Sequence, residues 1–207
     1  HTTFFVRTAA ALEVTNTGAL VVAGEFTDSI NLGGSTLQSN AGSTDIFLAE
    51  FSSSGQHQWS KAYGGSQEDI SRAIDIDASG DIAVAGRTQG GDFGGGPRTE
   101  SGVSDGLVLR VDSNGNHVSD YMFGSSVTFG FDAAETAYDV TFGWSGELYV
   151  VGYLADSTTI DGTSVGGSGN YDAVLIRINP TGQPIWAIDR GGAGPDVPGT
   201  VTVGSTG

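Results

Sequence analysis

The chain has 207 residues, with 24 acidic against 8 basic side chains, 34 glycines, no cysteine and a formal net charge of −16. A field of that sign repels phosphate backbones and anionic bilayers, so neither nucleic-acid binding nor membrane insertion is expected. No run approaches the ~18 apolar residues of a membrane span, and disulfides and thiolate metal sites are excluded. An acidic surface that keeps the chain soluble and a surface that gathers divalent cations are both open readings.

Residues 1–10 hold a short apolar run, Phe4-Phe5-Val6, expected to form an extra strand or arm. A recurring hairpin follows: ALEVTNTGALVVAG at 11–24, AIDIDASGDIAVAG at 73–86 and AYDVTFGWSGELYVVG at 137–152. Each reads as strand, glycine turn, strand. On this alignment the third copy has two extra residues in its turn, Gly143 and Trp144. The connections that come next, with Gly24 to Asp45 spaced by 21, Gly86 to Asp105 by 19 and Gly152 to Asp172 by 20, read as surface loops that Ile30, Leu32, Phe93 and Ile160 could anchor.

A second element recurs without insertion or deletion: DIFLAEFSSSGQHQWSKAYGG from 45, DGLVLRVDSNGNHVSDYMFG from 105 and DAVLIRINPTGQPIWAIDRGG from 172. Its opening Asp stands ten residues before a turn glycine and nineteen before a closing glycine in every copy. Positions two, four and six are apolar throughout: Phe47, Ala49 and Phe51; Leu107, Leu109 and Val111; Val174, Ile176 and Ile178. The other face starts small or apolar and ends in a charge, Glu50, Arg110 or Arg177. Strands of this kind suit a sheet lying between two other sheets, and the glycine turns supply the positive φ of a hairpin.

One unit is therefore four antiparallel strands, with closing glycines Gly24, Gly86 and Gly152 spaced by 62 and 66 residues. The expected class is all-β, built from β-propeller blades. Blades fall at 11–65, 66–124 and 125–192, after an arm at 1–10, and 193–207 supplies the first strand of a fourth. Three blades and a strand make an open propeller. Its bare faces and edges call for a cover: further copies of the chain in a homo-oligomer or filament, exchanged terminal strands, or the rest of a larger chain. Phe4, Phe5, Val201 and Val203 are the strand residues that would make such contacts.

The strand opening on Asp, the Ser/Asn-Gly turn, the Trp, the Gly-Gly, the Ala-Ile-Asp strand and the Val-Ala-Gly together resemble the bacterial β-propeller repeat known as SBBP. The resemblance runs from residue 11 to 207. It implies a propeller scaffold in a secreted or cell-surface bacterial protein, and it carries no common catalytic residues. Ser119 departs from the pattern where the other copies have Trp59 and Trp186, and Ser125 replaces the second closing glycine.

Candidate chemistry is sparse. Glu13, Asp75 and Asp139 occupy one register on the first strands, with Thr202 in the partial unit, so they would line an axial channel as calcium ligands. Solvated carboxylates, or acceptors of N–H bonds from a neighbouring blade, are the other reading. Asp75, Asp77, Ser79 and Gly80 also mimic part of a calcium loop but lack its closing Glu, and a plain turn serves as well. Residues 102–106 fit G-x-S-x-G, yet a strand follows where a nucleophile elbow needs a helix. His57 and His117 fall at matching repeat positions. Trp144 is the turn aromatic open to sugar stacking or a partner. Apart from calcium no cofactor is expected. The readings are a non-catalytic extracellular assembly module, an adhesin or glycan-binding module, and, least supported, an enzyme acting at the channel mouth.

Overall fold

The computed structural model describes residues 6–126, 135–167 and 170–204, with side chains from residue 11 onward. The described chain is all-β and holds no α-helix. The first unit contains β1 (Val6–Val14), β2 (Leu20–Thr27), the short strands β3 (Ser29–Ile30) and β4 (Leu37–Gln38), then β5 (Thr44–Phe51) and β6 (His57–Tyr63). The second contains β7 (Asp69–Ile76), β8 (Ile82–Thr88), β9 (Gly91–Asp92), β10 (Pro97–Arg98), β11 (Asp105–Val111) and β12 (His117–Phe123). The third contains β13 (Thr136–Phe142), β14 (Leu148–Leu154), β15 (Thr158–Ile160), β16 (Thr163–Val165), β17 (Asp172–Ile178) and β18 (Pro184–Arg190). Each unit forms one four-stranded antiparallel sheet, ordered β1-β2-β5-β6, β7-β8-β11-β12 and β13-β14-β17-β18.

The three sheets stack in chain order, and their backbones come closest along the first strands, β7 on β1 and β2, and β13 on β7 and β8. Between the first and second lies a core of Val21, Ala23, Ile46 and Leu48 against Ile74, Ile82, Val84, Leu107, Leu109 and Val111. Between the second and third, Ala83, Ala85 and Val108 meet Val140, Leu148, Val150, Val174, Ile176 and Ile178. Every residue of β11 is buried, as befits the middle sheet, whereas β17 alternates buried and half-buried because one of its faces lies against no further sheet among the described residues.

The connections are more ordered than loops. Each contains a two-stranded ribbon, β3-β4, β9-β10 or β15-β16. Phe93 and Ile160 are buried in the cores between sheets, while Ile30 and Leu32 pack with Phe26, Phe47 and Ala49 on the outer face of the first sheet. The paired glycines of two ribbons have a partner: Gly33 and Gly34 lie on the His57 ring, and Gly94 and Gly95 on that of His117. The matching histidines are thus ribbon-packing residues, His57 meeting the Ser60 hydroxyl at 3.0 Å and His117 the Asp120 carboxylate at 2.7 Å.

The first strands differ from the sequence reading in register. Each carries a bulge opposite the glycine that ends the first hairpin, between Ala9 and Ala11, Ser71 and Ala73, and Ala137 and Asp139. A Cβ on Gly86 would fall 2.0 Å from the Ile70 carbonyl oxygen, and one on Gly152 2.3 Å from that of Thr136. Only glycine admits so close a crossing. Counted from these glycines, Glu13, Asp75 and Thr141 share one position, and Asp139 matches Ala11 and Ala73 instead. The hairpin turns are then equal in length, 15–19, 77–81 and 143–147, each closed by the same pair of backbone hydrogen bonds. Gly143 and Trp144 are therefore not an insertion. The extra length of the third unit lies before β13, where Gly124 to Glu135 is eleven residues against the five from Gly64 to Asp69.

β1 begins at Val6, so residues 6–10 belong to the first sheet, while Phe4 and Phe5 lie outside the described residues. The segment 193–204 forms no ladder with the three sheets; its contacts include a parallel bridge of Pro195 to Tyr171.

Candidate functional site

Among the described residues no three of the sequence-predicted carboxylates are brought together, although Asp75 and Asp77 line one cavity. Asp75 Oδ2 accepts the backbone N–H of Phe142 at 2.6 Å and the Thr141 hydroxyl at 3.0 Å. Asp139 Oδ2 accepts the N–H of Val201 at 2.8 Å. Both clasp one first strand to the next, two positions apart, which corrects the common register assigned to them. Asp77 closes its own turn through Ser79 and Asp81, and Glu13 is exposed on β1. Among the described residues no group of three or more His, Asp or Glu side chains is placed to hold a metal ion. Ser104 of the G-x-S-x-G stretch is buried and leads into strand β11.

Trp144 is 68% exposed at the turn between β13 and β14. It lines a cavity of about 500 Å³ with Asp75, Ser79, Phe142 and Val203. Its counterparts in the other turns are Asn16 and Ala78, so the turn does not require an aromatic there.

A set of acids that the sequence reading passed over sits at the seams. The Asp opening each third strand, Asp45, Asp105 or Asp172, is buried against the closing glycine. A Cβ on Gly64, Gly124 or Gly191 would meet that carboxyl at 2.9, 2.1 or 1.8 Å, which accounts for the fixed spacing of nineteen. Beside it stands the acid that opens the next unit. Asp69 accepts the Gly65 N–H at 2.7 Å, Glu135 the Ser125 N–H at 3.1 Å and Asp196 the Gly192 N–H at 2.7 Å. Burial pushes Asp69 and Glu135 up to about 7, against the pull of these hydrogen bonds, and Asp105 up to about 6. Burial also raises Asp45. The visible signal was Gly-Gly followed four residues later by Asp at both 64–69 and 191–196.

Other polar contacts join unit to unit. Tyr63 donates to the Gly115 carbonyl at 2.6 Å and Lys61 to Asn116 at 2.6 Å. Arg110 pairs with Asp81 at 2.9 Å, reaches the Gly146 carbonyl of the next unit at 2.9 Å and lies over the Phe142 ring. Arg177 repeats the pair, meeting Glu147 at 3.0 Å, with no fourth four-stranded sheet beyond it among the described residues.

The two outer faces are the remaining site. On the first sheet, Leu12 is 53% exposed, although its counterparts Ile74 and Val140 are 6% and 2% exposed; Val14 is 56% exposed. On the third, Tyr149, Val151 and Leu175 are half-buried, whereas Ala83, Ala85 and Val108 of the second sheet are covered. Ile188 beside them is 44% exposed. The side chains that would be core on an inner sheet meet solvent on the outer ones.

No family model matches the chain, and no curated protein matches it. Among the described residues no helix is long and apolar enough to cross a membrane.

Proposed function

We propose that the chain is a non-catalytic structural module, a run of β-propeller blades whose two outer faces are completed by further units of the same kind. One observation supports this above the rest: positions that are buried where one sheet meets the next, such as Ala85, Val108 and Ile74, recur as Val151, Leu175 and Leu12, half-buried or exposed on faces that no further sheet covers among the described residues. Exposed apolar area of this kind marks association, and the like-on-like seams inside the chain support a further unit of the same kind as the partner. Completion by identical subunits gives a ring if the rotation closes and a filament if it does not. The SBBP resemblance supports a place outside the bacterial cell or on its surface. Sedimentation across a concentration series tests the proposal. Concentration-dependent association, seen as rings or fibres in negative stain, is expected, and a monomer at every concentration overturns it.

A second reading, recognition of glycans, is favoured by Trp144, whose exposed indole borders a cavity of a size suited to a small ligand. Binding on a glycan array that is lost in Trp144→Ala would support it, and no binding at all would dismiss it.

A further inference from the structure

The segment 196–203 repeats the opening of a unit. Gly192 and Asp196 form the same bond as Gly65 and Asp69, each 2.7 Å. Counting on from Asp69 and Asp196, Thr200 corresponds to Ala73, Val201 to Ile74 and Val203 to Ile76, and hence to Ala11, Leu12 and Val14 of β1. Asp139 holds the segment to β13 through the Val201 N–H, as Asp75 holds β13 to β7 through that of Phe142. A first strand thus lies in place on the third sheet, with no second strand beside it among the described residues.

We propose that this segment is a donor strand that pairs with β2 of a second copy in place of that copy's β1. Thr200 would then stand opposite Ala23, Val201 opposite Val22 and Val203 opposite Leu20, the ladder positions now filled by Ala11, Leu12 and Val14. The inference rests on the proposed function and names its partner and its joint. β1 is the first strand with the least cover, since Leu12 and Val14 are over half exposed. Val201 and Val203 keep the apolar alternation of Leu12 and Val14, and Thr202 takes the place of Glu13. Exchange also carries the outer face of the neighbour's first sheet, Val22 and Phe51 included, onto Val151, Leu175 and Ile188. Both uncovered faces are closed in one step, and strand pairing supplies the register.

The chain has no cysteine, so two single-cysteine variants, Val201→Cys and Val22→Cys, report the joint cleanly. Mixed, refolded together and treated with a short thiol cross-linker, they should give a species of twice 21.1 kDa. Val201→Cys mixed with Ser113→Cys should not. The double variant Val201→Asp, Val203→Asp should keep the native circular dichroism and weaken association by roughly a hundredfold, since it puts a charge at two positions that become core. If the chain associates, the cross-link is missing and the double variant associates like the parent, strand exchange is overturned while completion by like units stands. If the parent chain never associates, both fall.

Discussion

Asp69→Asn isolates what one seam acid contributes. Asp69 is fully buried, accepts hydrogen bonds from Gly65 N–H and the Thr88 hydroxyl, and lies beside the Asp45 carboxyl. Burial first, and then the Asp45 charge, lift it from 3.8 to about 7, with the Thr88 and Gly65 bonds opposing. Its folded value is raised above its unfolded one, so the stability it contributes is fully present below the unfolded value and is lost as pH rises through about 7. Between pH 8 and pH 5 the acid gains close to two of the available pKa intervals, roughly 2 to 3 kcal/mol in favour of the fold at the lower pH. The Asn amide resembles the protonated acid, accepting from Gly65 while its NH₂ donates to Thr88. Urea unfolding at pH 5 and pH 8 should therefore show the parent more stable at pH 5, and the Asn variant losing that one-proton share of the difference. A variant with the parent's full pH dependence would refute the assignment. Glu135→Gln, at the next seam, should remove a share of similar size.

Other outcomes follow from the same seams. Leu109→Ala, in the core between the first two sheets, should destabilise by about 2 to 5 kcal/mol in urea unfolding, whereas Leu12→Ala on the uncovered face should change stability by less than about 1 kcal/mol. Gly86→Ala places its methyl against the Ile70 carbonyl and should cost at least ~2 kcal/mol, measured as a lowered denaturation midpoint. Arg110→Ala should destabilise far more than Arg177→Ala. Arg110 bridges two units in a buried setting, and removing it leaves Asp81 without its cation, whereas Arg177 serves one unit at an outer face. Calcium at millimolar concentration should leave Tm unchanged, because both oxygens of Asp75 and Oδ1 of Asp77 already accept protein hydrogen bonds and no three acids cluster among the described residues.

The four-stranded units, their order and the double burial of the middle sheet were legible because a strand covered on both faces leaves an apolar run that periodicity detects, as in Leu107 to Val111. The register of the first strands was not. Ala-x-Asp occurs at both 73–75 and 137–139, so Asp139 aligned with Asp75 by residue type although Thr141 holds that position, and the bulge common to the three strands leaves no marker that would correct it. Trp144 was misplaced by the same slip. The ribbons were invisible because strands of two or three residues have no period, and the contacts that tie two of them to their place, His57 on Gly33-Gly34 and His117 on Gly94-Gly95, appear only in three dimensions. The seam acids could be seen as a spacing. Their cause, a carboxyl lying where a side chain on the closing glycine would be, needs the third dimension.

These acids also explain why like units join in one register. Two flat apolar faces such as Ala83-Ala85 against Val140-Val150 tolerate sliding, since hydrophobic burial has no direction. A buried carboxyl does not: Asp69, bonded to Thr88 of its own sheet, also accepts from Gly65 at the end of the first unit, and a slip between the units breaks that bond and leaves a polar group stranded in the core. The outermost copy of this pin, Asp196 on Gly192, is already formed at the edge of the third sheet. On the proposed association, a unit docking there would meet a seam whose register is set before it arrives, leaving apolar matching to supply the affinity.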